Sequence, residues 1–319
     1  MRRRPRLATL LAAVAMTAGL AVGTAPALAS TQLAVTYDFL ASAIQAGTAV
    51  SADPPGANNW NCRPSAAHPE PVVLVHGLLG NKNTNWQTYA PLLANNGYCV
   101  FALTYGVNPG TATGPDQFGG LTAVESSAVE FKAFVAKVLT ATHAKKVNVL
   151  GHSEGTVMPD YYAKFLGGAN YIDKYVSLAP LWHGTDAAGL DTLSVFGSML
   201  GATAALDQAM SAGFASGPEL LAHSAFMAKL RSGGTPAVKG IHYTNIVTQY
   251  DELVNPYTSG EQPDMTNYVV QNSCATDYTE HFEIAADPVA AQIVLNTLDP
   301  AHKHAVPCVV VLPFTGPVG

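Results

Sequence analysis

One five-residue segment constrains the fold of this chain more than any other. Gly-His-Ser-Glu-Gly occupies positions 151–155, directly after a β-branched run at 146–150 and before a helical pattern that extends to position 166. The pattern Gly-x-Ser-x-Gly is weak alone, but between a buried strand and a helix it predicts a sharp, strained turn at the carboxyl edge of a sheet. Glycines suit the flanking positions, since side chains there would collide with the neighbouring strand and helix. Ser153 is therefore the first candidate functional residue.

Apolar runs and helical patterns alternate along the rest of the chain. Buried strands are predicted at 71–75, 98–103, 146–150, 175–181 and 241–248, and helices at 86–95, 121–143, 155–166 and 287–298. Such alternation implies an α/β fold with a mostly parallel central sheet flanked by helices. Residues 186–234 are rich in Ala, Gly, Ser, Leu and Met without strand character, which predicts a helical cap inserted into the domain. Residues 30–61 are expected to form an arm over the domain.

The first 29 residues have the features of an export signal. An arginine cluster precedes an apolar run, and Ala27-Leu28-Ala29 fits a signal-peptidase site, so we expect cleavage before Ser30. A membrane anchor is the alternative, but the apolar run is short and alanine-rich. The sequence thus predicts a signal peptide at 1–29 and a single secreted domain at 30–319, with 186–234 as its cap or lid.

Four cysteines follow the predicted cleavage site, at Cys62, Cys99, Cys274 and Cys308. An even number in an exported chain favours two disulfides, and three pairings are possible. Proximity in sequence favours Cys62–Cys99 and Cys274–Cys308. Metal binding is the competing interpretation, but the chain has no C-x-x-C, no Cys/His pair at ligand spacing and no EF-hand loop, so no metal is expected.

The composition narrows the class of protein. Hydrophobic residues make up 48% and charged residues 12%, with 28 Gly and 21 Pro spread along the chain, which indicates a globular protein rather than a disordered or collagen-like one. The formal net charge is −6, and four of the positive charges lie in the predicted leader. This acidic balance disfavours nucleic acid as a partner. We also expect a monomer.

A serine hydroxyl becomes a nucleophile only beside a base, which is itself held by a carboxylate. Asp251 follows the predicted strand 241–248, and His281 precedes the last predicted helix, giving the chain order Ser, Asp, His. Glu252 is the rival of Asp251. His302 and His304 are the rivals of His281, but they follow the last helix.

With these residues in place, the chain resembles the secreted class 2 lipases of actinobacteria, within the α/β-hydrolase superfamily. The similarity covers most of the chain after the leader. It rests on five segments: Val73-Leu74-Val75-His76-Gly77 with Asn85-Trp86, the segment 151–155, Ser177-Leu178-Ala179-Pro180 with His183-Gly184-Thr185, Tyr250-Asp251-Glu252 with Pro256, and His281.

The resemblance implies an α/β-hydrolase fold and hydrolysis of carboxylic esters of lipids, without a cofactor. Ser153 would be the nucleophile, His281 the base and Asp251 the acid that orients it. The resemblance also implies that the backbone N–H groups of Leu78 and Glu154 form an oxyanion hole. Five further residues would support this machinery: His76, Gly77, Gly151, His152 and Gly155.

Two questions stay open at this stage. Glu154 departs from the Gln or Met of related lipases, and a carboxylate beside a developing oxyanion could shift the pH profile. A secreted acyltransferase and a polyester or cutin hydrolase would use the same triad as a lipase. The expected partner is a lipid or another ester, with contact to a lipid interface if the cap is a mobile lid.

Overall fold

A six-stranded parallel sheet forms the centre of the molecule. This computed structural model describes residues 32–108, 118–186, 211 and 213–318. The strands are β1 (Val72–Val75), β2 (Val100–Leu103), β3 (Val147–His152), β4 (Ile172–Leu178), β5 (His242–Val247) and β6 (Thr266–Val269). Their order across the sheet is β2-β1-β3-β4-β5-β6, and every neighbouring pair is parallel. The predicted α/β class with a parallel central sheet is therefore confirmed.

The described chain has eight α-helices, several of which cover the two faces of this sheet. They are α1 (Phe39–Gly47), α2 (Tyr89–Asn95), α3 (Val124–Thr142), α4 (Met158–Phe165), α5 (Ser216–Glu219), α6 (Ala225–Leu230), α7 (Val270–Ser273) and α8 (Pro288–Leu298). Successive side chains of a strand point to opposite faces, so each face of β1 belongs to a different core. Val73 and Val75 share a buried cluster with α3 and α4, while Val72 and Leu74 share another with α2 and α8.

Helix α8, which follows the segment around His281, has a well-defined start. The side chain of Asp287 accepts hydrogen bonds from the backbone N–H groups of Val289 (3.1 Å) and Ala290 (2.7 Å). Pro288 stands at the first helical position, where its missing N–H has no intrahelical partner to lose. Asp287 is thus a buried N-cap, and it fixes the point at which the chain leaves the His281 segment.

Several elements of the described structure were not predicted from the sequence, among them strand β6, a C-terminal hairpin and helix α1. Strand β6 pairs only with β5 at the edge of the sheet, and its residues are largely exposed, so no apolar run marks it. A C-terminal hairpin pairs β7 (Val310–Leu312) with β8 (Gly316–Val318). Helix α1 lies within the predicted arm, and its N-cap Asp38 and its buried Phe39, Ala43 and Ala46 follow a helical spacing. The signal for α1 was therefore present in the sequence.

Both expected disulfides are formed. Cys62 is bonded to Cys99 and Cys274 to Cys308, and no described cysteine is free. The first bond joins the segment before β1 to the start of β2, and the second joins the end of α7 to the C-terminal tail. All of the elements above belong to one compact unit, Leu33–Gly319.

The predicted cap is described only in part. Residues 187–210 and 212 lie outside the described residues, as does the predicted signal peptide with its cleavage site. In the described part, α5 and α6 follow one another, and Phe226, Met227 and Leu230 are buried in the same core as α3 and α4. This part of the insertion is core-packed. Among the residues that the structure describes, none of the helices has the length and apolar character needed to cross a membrane.

Candidate active site

Ser153 stands at a sharp turn between β3 and α4. A short 3₁₀ turn, Ser153–Thr156, follows the strand, and Ser153 has a φ of 55°, in the left-handed region that costs energy for any residue except glycine. A Cβ on Gly151 would lie 2.2 Å from the carbonyl oxygen of Gly155, and one on Gly155 would lie 2.1 Å from that of Val75. Both positions therefore require glycine, and the turn holds Ser153 at the carboxyl edge of the sheet.

Three side chains form a continuous hydrogen-bonded chain at this edge. The Oγ of Ser153 lies 2.9 Å from Nε2 of His281. Nδ1 of the same ring lies 2.9 and 3.0 Å from the two carboxylate oxygens of Asp251. A carboxylate only accepts, so Nδ1 carries the proton of the neutral ring and Nε2 is left to accept from the serine hydroxyl. This geometry places a base directly on the serine.

Asp251 is fixed by the turn that follows β5. Its Oδ1 accepts hydrogen bonds from the backbone N–H groups of Leu253 (3.0 Å) and Val254 (2.7 Å). The side chains of Asp251 and His281 are each only 2% exposed, so water screens their interaction weakly. Burial alone would lower the pKa of His281, but the charge of Asp251 and its hydrogen bond, with the charge of Glu252, raise the pKa above its usual value.

Glu252, the rival of Asp251, has a different contact. One of its carboxylate oxygens accepts from the backbone N–H of His281 at 3.1 Å, so it holds the main chain and not the ring. Glu280 accepts from the backbone N–H groups of Phe282 and Glu283, at 2.6 and 2.9 Å. Burial raises the pKa of both Glu252 and Glu280. Sequence reasoning did not find Glu280, because no motif marks a carboxyl group that supports a loop.

Two further histidines, His76 and His152, lie beside the turn. Nδ1 of His76 donates to the carbonyl oxygen of Gly77 at 2.8 Å, and its Nε2 accepts from the backbone N–H of Tyr105 at 3.3 Å. Burial lowers the pKa of His76 to about 4, although the bond to Gly77 opposes this shift. His76 is therefore neutral at physiological pH, and it links the loop after β1 to the end of β2.

His152 contacts the backbone of His281. Its Nε2 donates to the carbonyl oxygen of His281 at 2.8 Å, and the two rings lie 5.1 Å apart between centroids. Burial first, and then a positive charge on His281, lower the pKa of His152 to about 3, so its ring is neutral. The structure thus brings His152 against the loop of His281, where it fixes that loop relative to Ser153.

The loop of Leu78 lies against the serine turn. A Cβ on Gly77 would come 2.9 Å from the Cβ of Ser153, which shows how closely the two segments approach. The backbone N–H of Leu79 donates to Gly119 at 2.9 Å, and that of Gly80 donates to Gly77 at 3.0 Å. These bonds fix the loop and bring Leu78 to the wall of the pocket that contains Ser153.

The side chain of Glu154 does not line this pocket, and its carboxyl group lies near Gly120. It is completely buried beside the hydroxyl of Tyr105, and neither of its carboxyl oxygens makes a hydrogen bond of good geometry. Burial raises the pKa of Glu154 well above its usual value, the charge of Glu219 adds to this shift, and the contact with Tyr105 opposes it. Burial without a hydrogen-bond partner therefore favours the neutral acid over the carboxylate at this position.

The pocket above Ser153 and His281 is mainly apolar. Its wall is built by several separate parts of the chain, with these apolar side chains: Phe39, Ala43, Leu78, Leu79, Leu181, Leu220, Leu221, Leu253, Val254 and Phe282. Within the described residues, no group of three or more His, Cys, Asp or Glu side chains is placed to hold a metal ion. The chemistry available at this site is that of a serine, a histidine and a carboxylate under an apolar cavity.

A protein-family model matches the part of the chain that contains this site. The model named Lipase (class 2) matches residues 69–294, a span that contains Ser153, Asp251 and His281. That span is more than half of the chain. The chain belongs to the class 2 lipase family. The region before residue 69, which includes α1, lies outside the matched span.

Several solved lipase structures have a fold similar to that of this chain, although their sequence identity to it is low. Aspergillus fumigatus lipase B matches with a TM-score of 0.59 at 18% identity, over 80% of this chain and 57% of that one. The lipase BlEst2 of Bacillus licheniformis matches in its propeptide form with a TM-score of 0.52 at 16% identity, over 76% and 52% of the two chains. Its mature form gives 0.52 at 15% identity, over 74% and 94%. The chain thus spans little more than half of the first two structures, and these matches establish the α/β-hydrolase fold.

Proposed function

We propose that this protein hydrolyses carboxylic esters of lipids through an acyl-enzyme on Ser153. The observation that carries the proposal is the chain of hydrogen bonds from Ser153 through His281 to Asp251, at 2.9 Å for each link. Ser153 and His281 lie at the floor of a mainly apolar pocket, which is the environment that an ester with an apolar acyl group requires. Membership of the class 2 lipase family supports the same reaction.

In the proposed mechanism, the Oγ of Ser153 attacks the ester carbonyl while its proton passes to Nε2 of His281. Asp251 stabilises the imidazolium and keeps the ring in the orientation that the reaction needs. The tetrahedral intermediate then expels the alcohol, which takes the proton from His281. Water repeats the sequence on the acyl-enzyme, giving its proton to His281 and releasing the carboxylic acid. The proton finally returns to Ser153.

The proposed oxyanion hole consists of the backbone N–H groups of Leu78 and Glu154. Support comes from the fixed loop of Leu78, which packs against the serine turn. Fixed dipoles near a developing negative charge stabilise it without reorganisation. On this proposal the side chain of Glu154 adds no charge to the hole, since burial without a hydrogen-bond partner favours its neutral form.

We also propose that the protein is secreted and acts as a monomer on lipid substrates. The two disulfides support secretion, because such bonds persist in oxidising compartments. The lipases that share its fold support a lipid ester as substrate.

The decisive experiment replaces Ser153 with Ala. We expect a loss of esterase activity of at least about a thousandfold, because only the nucleophile is removed. A circular dichroism spectrum and a melting temperature like those of the unsubstituted protein would show that the fold is intact. A fluorophosphonate probe should label the unsubstituted protein and not the variant. Substantial hydrolysis by a folded Ser153→Ala protein would refute the proposal.

A further inference from the structure

Helix α1 reaches the proposed active site although it lies before the span that the family model matches. The model begins at residue 69, and α1 covers Phe39–Gly47. Nevertheless, Phe39 and Ala43 line the same pocket as Ser153 and His281. They are four residues apart, so they lie on one face of the helix, and they are 6% and 3% exposed. The chain therefore adds a wall to the pocket from outside the matched region.

Hydrogen bonds fasten both ends of this helix to segments of the site. The backbone N–H of Phe39 donates to a carboxyl oxygen of Glu283 at 2.9 Å, two residues after His281. At the other end, the side-chain amide of Asn83 donates to the carbonyl oxygens of Ala46 (3.1 Å) and Ala49 (2.9 Å). Asn83 lies in the loop that carries Leu78. The helix thus spans from the histidine loop to the proposed oxyanion loop.

Ring contacts set the position of Phe39 within the wall. Its ring lies edge-on to that of His152 at 6.5 Å between centroids, and 6.0 Å from that of Phe282. Both neighbours are buried and adjacent to the histidine that contacts Ser153. Ala43 follows one helical turn later with a single methyl group, so any larger side chain there would project into the pocket.

We propose that helix α1 sets the length of the apolar substrate chain that the pocket accepts, with Phe39 and Ala43 as the residues that determine it. The inference rests on the proposed ester hydrolysis at Ser153. A chain that runs along the wall gains free energy with each methylene that leaves water, and it loses that gain where a side chain blocks the pocket. One methylene excluded from an apolar pocket changes a specificity constant by about tenfold or more.

The test compares two identical changes on one helix. Ala43→Leu fills the pocket wall, whereas Ala41→Leu, two residues earlier, places the same side chain at an exposed position. The values of kcat/KM are measured on p-nitrophenyl esters from acetate to palmitate, and on acetate esters of alcohols from ethanol to hexadecanol. The first series varies the acyl chain and the second varies the alcohol.

We expect Ala43→Leu to lower the ratio of long-chain to short-chain kcat/KM by about tenfold or more in at least one series. Ala41→Leu should keep the ratio of the unsubstituted protein. Phe39→Leu, which shortens the side chain, should move the preference towards longer chains. If Ala43→Leu does not fold, the chain-length preference of Phe39→Leu tests the proposal by itself.

The outcomes separate this inference from the function on which it rests. If hydrolysis requires Ser153 but folded Ala43→Leu and Phe39→Leu proteins keep the unsubstituted chain-length profile in both series, helix α1 does not determine specificity. If Ala41→Leu changes the profile as much as Ala43→Leu does, the effect comes from the helix as a whole and the assignment is wrong. If hydrolysis does not require Ser153, the proposed function itself fails.

Discussion

Two imidazole rings lie side by side in this site, and their pKa values are shifted in opposite directions. One belongs to His281 in its loop, and the other to His152 at the end of β3. The ring centroids are 5.1 Å apart, and both residues are almost completely buried. Burial lowers the pKa of His152 to about 3, whereas the pKa of His281 is raised. The difference comes from the contacts of each ring. His281 meets the carboxylate of Asp251, whereas His152 meets the carbonyl oxygen of His281.

This difference shows that burial alone does not make a base. A buried ring without a charged partner stays neutral and can only hold its neighbours, as His152 holds the loop of His281. A buried ring beside a carboxylate can accept a proton during the reaction, because the charge that forms is compensated at once. The predictions that follow remove the compensating charge, titrate the ring, and then change a buried acid that has no such partner.

Among the changes that test this comparison, the largest effect is expected when Asp251 is changed to Asn. The amide removes the charge that distinguishes His281 from His152, and it can stabilise the wrong tautomer of the ring. We expect kcat to fall on the order of a hundredfold to ten-thousandfold, with little change in KM. The residual activity should also extend to lower pH, since burial without the Asp251 charge lowers the pKa of His281.

Glu252→Gln is the matched control for that change. It substitutes the neighbouring carboxyl with an amide of equal size, and the amide oxygen can still accept from the backbone N–H of His281. Its effect on kcat should be much smaller than that of Asp251→Asn. If Glu252→Gln proves the more damaging of the two, Glu252 and not Asp251 is the orienting acid.

A smaller effect is expected from pH alone. The proposed mechanism needs the neutral form of His281, and the pKa of that ring is raised, so kcat/KM should decrease as the pH falls through a value above 6.5. Below that value it should drop by about tenfold for each pH unit. The groups that face the ring and shape this limb are Asp251, Glu252 and His152. A rate that is constant from pH 8 down to pH 4 would contradict a histidine base.

Much of the fold could be predicted because its strands are buried on both faces. Runs rich in apolar and β-branched residues mark β1, β3 and β5, and the predicted helices at 86–95 and 155–166 follow β1 and β3. Strand β6 has no such run, because it lies at the edge with Thr266 and Asn267 exposed. The parallel sheet can therefore be predicted from the sequence. Its last strand cannot, because β6 forms by pairing with β5 and has no local sequence pattern of its own.

The same distinction applies to the candidate site. The order of Ser153, Asp251 and His281 follows from the positions of the strand ends, and the structure brings the three side chains together. The choice between Asp251 and Glu252 depends on the direction of a turn, which adjacent carboxylates cannot reveal in sequence. The contribution of Phe39 and Ala43 depends on where α1 packs, and their spacing indicates a helix without indicating its neighbour.

The smallest effect is expected at Glu154, which resembles His152 rather than His281. Its carboxyl group is buried without a cation, near the charge of Glu219, and its pKa is raised well above the usual value. A neutral acid and a neutral amide of equal size differ little, so Glu154→Gln should leave kcat at pH 7 within about threefold of the unsubstituted protein. The backbone N–H proposed for the oxyanion hole is unaffected by the change. An infrared difference spectrum between the two proteins should contain the carbonyl band of a protonated acid at pH 7. A carboxylate band there instead would show that Glu154 is ionised, and that its charge does act beside the oxyanion.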